Sequence, residues 1–95
     1  MAKSIVAKDR ICFFCGAPAD CWHHLIFGNS QRRLAEKDGI KVPACTGCHT
    51  ANPIPYRIHD NPMAEKLSKM LGQALWELQY GDRDAFRQRY GKSYL

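Results

Sequence analysis

The sequence predicts a small α+β domain, and three observations carry that prediction. Two Cys-x-x-Cys pairs, Cys12/Cys15 and Cys45/Cys48, bracket the middle of the first half. Between them lie two short apolar segments with strand character, over 21–26 and 40–44. After them, apolar residues recur at three- and four-residue intervals, the period of an amphipathic helix. The expected architecture is a short antiparallel hairpin, a metal-bearing turn or helix, and a packed C-terminal helical pair.

A chain of 95 residues, 45% of them hydrophobic, makes one domain at most. A core that small supplies only about 3–5 kcal/mol, so a staple is expected. The first ten residues show no apolar leader stretch, and nothing approaches the ~20 apolar residues of a membrane span. No membrane partner is therefore expected, and the expected location is cytoplasmic, where thiols stay reduced and paired cysteines bind metal. The odd cysteine, Cys21, argues against a closed disulfide framework and reads as a small buried hydrophobe. The formal charge is +5, and four thiolates with one divalent ion bring it to +3. That moderate basicity suits a polyanionic partner without requiring one.

Taken in order, residues 1–10 read as a mobile basic tail, 11–60 as a metal-stabilised core and 61–95 as helices packed on it. Ile11-Cys12-Phe13-Phe14-Cys15-Gly16 has the form of a zinc knuckle, with Gly16 supplying positive φ behind the turn. A polar, basic loop over 27–39 holds a helical turn around 32–37. In the second strand Pro43 lies near the end. Cys45-Thr46-Gly47-Cys48-His49 opens a helix or tight turn, which Pro53 and Pro55 keep short. Asn61 then caps a helix with Pro62 in its first position and Gly81 after its last turn. Met63, Leu67, Met70, Leu71, Ala74, Leu75 and Leu78 form its stripe, read as cover for the core, with a homodimer interface as the rarer use. A last helix runs from a cap at Asp82 to Tyr90 and stops at Gly91. Phe86 and Tyr90, one turn apart, anchor it and leave Arg83 and Arg87 to solvent or DNA.

Four soft ligands in two pairs, with twenty-nine residues between Cys15 and Cys45, point to structural zinc. The interval is longer than in common zinc ribbons, so a functional element is expected inside it. Cys45-Thr46-Gly47-Cys48-His49 also spells a haem attachment motif, but haem would leave Cys12 and Cys15 unexplained. Thioredoxin-like chemistry needs a βαβ setting that the pattern lacks.

Four histidines remain: His23, His24, His49 and His59. With Cys12-x-x-Cys15, His23-His24-Leu25-Ile26 and Val42-Pro43-Ala44-Cys45-Thr46-Gly47-Cys48-His49, residues 11–59 resemble the HNH endonucleases. The likeness is closest to the zinc-stabilised, phage-associated members of that ββα-metal superfamily. The resemblance implies a ββα-metal core around structural zinc and a catalytic divalent cation (Mg²⁺, Mn²⁺ or Ni²⁺). It implies His24 as general base, His23 and His49 as ligands of the cation, and His59 as an additional ligand. DNA is the implied substrate. Imidazole suits the role, since it titrates near neutral pH. Two features depart from the family pattern or strain it. Ile40 stands about where the family's middle Asn belongs, so either Asn29 or Asp38 orients the base or that job is lost. Successive strand residues also face opposite ways, so the strand must end or bend at His24.

Arg32, Arg33, Lys37 and Lys41 between the dyad and the second knuckle, with Arg57 near His59, are candidate phosphate contacts. Taken singly, each also fits a solvated surface. The alternative to an enzyme is a non-catalytic zinc module that binds nucleic acid or protein through a decayed HNH site.

Overall fold

The computed structural model describes residues 3–7, 9–28 and 30–95. Strand β1 (Cys21–His24) pairs antiparallel with β2 (Lys41–Ala44), setting His23 opposite Val42 and His24 opposite Lys41. The connection between them carries helix α1 (Gln31–Asp38), two residues longer than the helical turn expected there. Gly39 closes α1 at φ 73°, where a Cβ would also collide with the Lys3 carbonyl. Helices α2 (Pro62–Gln79) and α3 (Arg83–Tyr90) follow. Their N-caps are those the sequence predicts: the Asn61 side chain accepts from Ala64 N–H and the Asp82 side chain from Ala85 N–H. No helix among the described residues is long and apolar enough to cross a membrane.

One core holds the elements together. Leu25 and Ile26, just past β1, meet Ile40 just before β2, Val42 within it and Ala35 from α1. Trp76, Phe86 and Tyr90 cover them from α2 and α3, with Phe86 and Tyr90 stacked at 4.5 Å. The expected anchoring of the last helix is therefore met. Arg83 and Arg87 face outward, paired with Glu77 and Asp84.

Two expectations need correcting. The stripe on α2 is rotated: Ser68, Gly72, Gln73 and Trp76 are buried, while Met63, Leu67, Leu71 and Leu78 are exposed, Leu78 at 85%. The reason is close approach. A Cβ on Gly72 would lie 2.7 Å from Ile26 Cγ1, so the absence of a side chain there lets α2 lie against Leu25 and Ile26, and the polar residues on that face, Ser68 and Gln73, are satisfied individually. Nor is the N-terminal tail free throughout. Buried Ser4 donates through Oγ to the Lys41 carbonyl, and Ile5 N–H bonds the Gly39 carbonyl. Met1, Ala2 and Lys8 of that tail lie outside the described residues.

Candidate metal centre and histidine cleft

The two knuckles meet because backbone bonds tie the first one to the end of β2. Cys12 N–H bonds the Ala17 carbonyl and Gly16 N–H the Cys12 carbonyl, with Gly16 at φ 81°. Phe13 N–H then bonds the Pro43 carbonyl, two residues before Cys45. The Sγ atoms of Cys12, Cys15, Cys45 and Cys48 all lie within 4.8 Å of one another. Cys15 and Cys45 are 3.7 Å apart at sulfur, against the roughly 3.8 Å edge of a tetrahedron with 2.3 Å zinc–sulfur bonds. The four cysteines could hold a structural metal such as zinc, and the donor set fits it.

The second knuckle runs into one wide helical turn (Gly47–Ala51), which contains Cys48 and His49, and then a short tight one (Ile54–Tyr56), consistent with the prolines. It then doubles back: Ile58 N–H bonds the Cys48 carbonyl and His59 N–H the His49 carbonyl. Ten residues of separation thus become adjacency. Arg57, a candidate DNA contact, is the clamp of this loop, donating to the carbonyls of His59 and Asn52 and to Asp60.

Ligand atoms of His23, His49 and His59 form a second group within 4.8 Å. His49 Nε2 and His59 Nε2 are 2.9 Å apart, close enough to share one proton or one small cation. His23 is fully buried; its Nε2 meets Ser68 Oγ at 2.8 Å, and its Nδ1 is a buried polar atom without a partner among the described residues. A buried lone pair without a donor beside two other imidazoles fits a cation site. Burial, with the neighbouring His49 and His59, pushes His23 down to about 3. Burial, with His59 beside it, also lowers His49. Both are neutral near pH 7, the form that binds metal.

β1 ends at His24, yet both residues of the dyad pair in register with β2, and their rings find partners on different helices, His23 on α2 and His24 on α1. His24 borders a cleft of about 100 Å³ lined by Trp22, Phe27, Arg32, His49 and His59. Its Nε2 lies 2.8 Å from Glu36 Oε1, and the other Glu36 oxygen takes Lys41 Nζ at 2.8 Å. Burial lowers the His24 pKa, and the Glu36 bond opposes this only in part. Bonds from Lys41 and His24 hold the Glu36 carboxyl down at about 2. An ionised carboxylate only accepts, so Glu36 assigns the His24 proton to Nε2 and leaves Nδ1 with the lone pair.

The remaining candidates divide by exposure. Arg32 and Arg33 are exposed on α1, Arg32 at the cleft. Lys41 is 2% exposed, sits over the Trp22 ring and is spent on Glu36, which corrects its reading as a surface phosphate contact. Asp38 is corrected as well: it does not orient the base, because its carboxylate takes Trp76 Nε1–H, Tyr90 O–H and two N–H groups of Arg89. Asn29, the other candidate for that role, lies outside the described residues. Ile40 is a core side chain. Cys21 is half-buried, its Sγ 3.1 Å from the Ala44 carbonyl oxygen and 3.5 Å from His49 Nδ1. Glu36 and Ser68 escape a reading of the sequence, since a single Glu or Ser within a helical pattern carries no motif.

A scan against family models, a search of curated proteins and a search of solved structures each return no match for this chain.

Proposed function

We propose that this chain is an HNH-type endonuclease that hydrolyses DNA phosphodiester bonds, with His24 as general base. One observation carries the reading: ligand atoms of His23, His49 and His59 gather in one group, and His24 lines a cleft together with two of them, His49 and His59. His23, His49 and His59 would hold the divalent cation, which when bound supplies charge stabilisation at the scissile phosphate and leaving oxygen.

The chain's own residues account for the rest. His24 Nδ1 takes the proton of the attacking water, and the Glu36 carboxylate stabilises the imidazolium that results. Glu36 in turn is held by Lys41, whose enclosed ammonium keeps the carboxylate ionised and still. Arg32, exposed at the cleft, offers its guanidinium to the phosphate. The four cysteines would hold zinc, which would fix the turn that carries His49 one residue after Cys48. The histidine-first dyad and the knuckle spacing support the family assignment, and a phage or mobile-element setting follows only from that resemblance.

The test is incubation of the zinc-loaded protein with supercoiled plasmid in Mg²⁺, Mn²⁺ or Ni²⁺, with a chelator control. Metal-dependent conversion to nicked or linear DNA is the expected result. Binding of DNA without cleavage in all three metals would overturn the enzyme reading in favour of the decayed module.

A further inference from the structure

Ser68 occupies an unusual place for a serine, buried in the middle of an eighteen-residue helix. A mid-helix serine commonly turns its hydroxyl back to the carbonyl one turn earlier. Here the hydroxyl leaves the helix: Ser68 Oγ donates to the Leu25 carbonyl at 2.8 Å, across 43 residues of sequence. A hydroxyl has one proton, so toward any other partner Ser68 can only accept. Its other partner is His23 Nε2, also at 2.8 Å. The nitrogen facing an acceptor must carry the hydrogen.

We infer that Ser68 is a positioning residue for the three-histidine site, holding His23 with its proton on Nε2 so that Nδ1 is the nitrogen left to bind a divalent cation. This rests on the reading of His23, His49 and His59 as a cation site. It adds that α2, beyond the residues in which the HNH resemblance lies, takes part in building that site. The geometry behind it is specific. Gly72, one turn after Ser68, has no Cβ to strike Ile26 and Leu25, which lets the helix lie close enough for Ser68 to reach the strand end. The ring is boxed as well: Phe14 and Phe27 sit edge-on to His23 at 5.9 and 5.6 Å, so it has little room to exchange its two nitrogens. A histidine whose tautomer is set by a hydrogen bond to its far nitrogen is the usual arrangement for a metal ligand.

The experiment needs no DNA, so its outcome is separate from that of the plasmid assay. Nitrogen-15 NMR of the zinc-loaded wild type reads the His23 tautomer, and titration with Ni²⁺ alone reads the affinity of the histidine site. A single Nε2–H tautomer is expected. Ser68→Ala should lose it and weaken Ni²⁺ binding by roughly 10- to 100-fold, the usual effect of deleting an outer partner of a ligand, with zinc content unchanged. Three results would overturn the inference: a wild-type His23 protonated on Nδ1, a Ser68→Ala protein binding Ni²⁺ within twofold of wild type, or a wild type taking up no Ni²⁺ beside its zinc. Should Ser68→Ala fail to fold, the wild-type tautomer alone decides. Ni²⁺ binding without plasmid cleavage would overturn the nuclease and leave this assignment standing.

Discussion

Replacing Glu36 with Gln tests the proposed base more sharply than deleting the base itself. Glu36 uses one oxygen on His24 Nε2 and the other on Lys41 Nζ, each at 2.8 Å. Gln keeps the shape but offers one acceptor and one donor. If its oxygen stays on Lys41, its amide N–H faces His24 Nε2, which must then give up its proton to Nδ1. The lone pair moves away from the water and the base is lost. If the oxygen faces His24 instead, the amide confronts an ammonium that is 2% exposed and has no solvent to turn to. That costs about 1.5–3 kcal/mol, the worth of a charged hydrogen bond, so the wrong tautomer dominates by roughly 10- to 150-fold. Single-turnover cleavage of plasmid by Glu36→Gln should slow by at least that factor, since Gln also withdraws the charge that stabilises the imidazolium. His24→Ala sets the floor at roughly 10²–10⁴ below wild type. DNA affinity and zinc content should not move, because neither residue contacts phosphate or the cysteines. Adding Lys41→Met should restore the part of the rate lost to the wrong tautomer, since the amide can then turn its oxygen to His24, but not the part the carboxylate supplies by stabilising the imidazolium. A Glu36→Gln enzyme within twofold of wild type, or a double variant no faster than Glu36→Gln, would refute the tautomer assignment.

Cys45→Ala should abolish tight zinc binding and leave the chain unfolded, because structural zinc is worth about 10–16 kcal/mol and whole domains only about 5–15; elemental analysis and circular dichroism check both halves. Asp38→Ala strands the Trp76 N–H and Tyr90 O–H in the core, at about 1–3 kcal/mol each, while Arg89 can turn to water. The expected loss of about 2–6 kcal/mol would be measured by urea unfolding, and a midpoint matching wild type would show those groups to be satisfied otherwise. Arg32→Ala/Arg33→Ala should weaken binding to every DNA sequence alike. The log–log salt slope should flatten by about one unit for each phosphate that no longer meets a guanidinium, as read in a salt titration of affinity.

Local chemistry was legible in the sequence where one residue type does one job. Asn61, Pro62, Asp82 and Gly91 mark helix ends, and the structure has those ends. Gly16 marks the knuckle turn, and the cysteine spacing marks a metal cluster. What failed was the facing of α2. Its period was right, but period does not say which stripe is inward when the inward one is Ser68, Gly72 and Gln73. Gln73 is fully buried only because its amide bonds Glu77, Ser93 and the Tyr94 backbone, partners up to 21 residues away. Such satisfaction is a tertiary fact, invisible to a hydropathy pattern that scores each polar side chain as exposed.

The histidine site shows the same division at the level of function. The imidazoles were identifiable because His23-His24 and Cys48-His49 are short motifs, yet the reason His59 reaches them is a pair of backbone bonds across a proline-broken loop. Adjacent histidines become chemically different only through their outer partners. His23 meets a hydroxyl on α2 and His24 a carboxylate on α1, and each partner leaves Nδ1 as the free nitrogen. One such atom is buried without a partner on a ring that packs against two further imidazoles, and the other belongs to a ring bordering an open cleft. The two partners come from helices on either side of the dyad, each fixed by interactions with no part in the chemistry: Gly72 against Ile26 for one, and Asp38 tied to Arg89 and Tyr90 for the other. A change at Asp38 should therefore disturb His24 and His23 together, through the seats of α1 and α2, whereas Glu36→Gln and Ser68→Ala should each disturb one. Nitrogen-15 spectra of the three variants would separate these patterns. Asp38→Ala protein that stays folded with both rings unperturbed would show that the two helices hold their places without that latch.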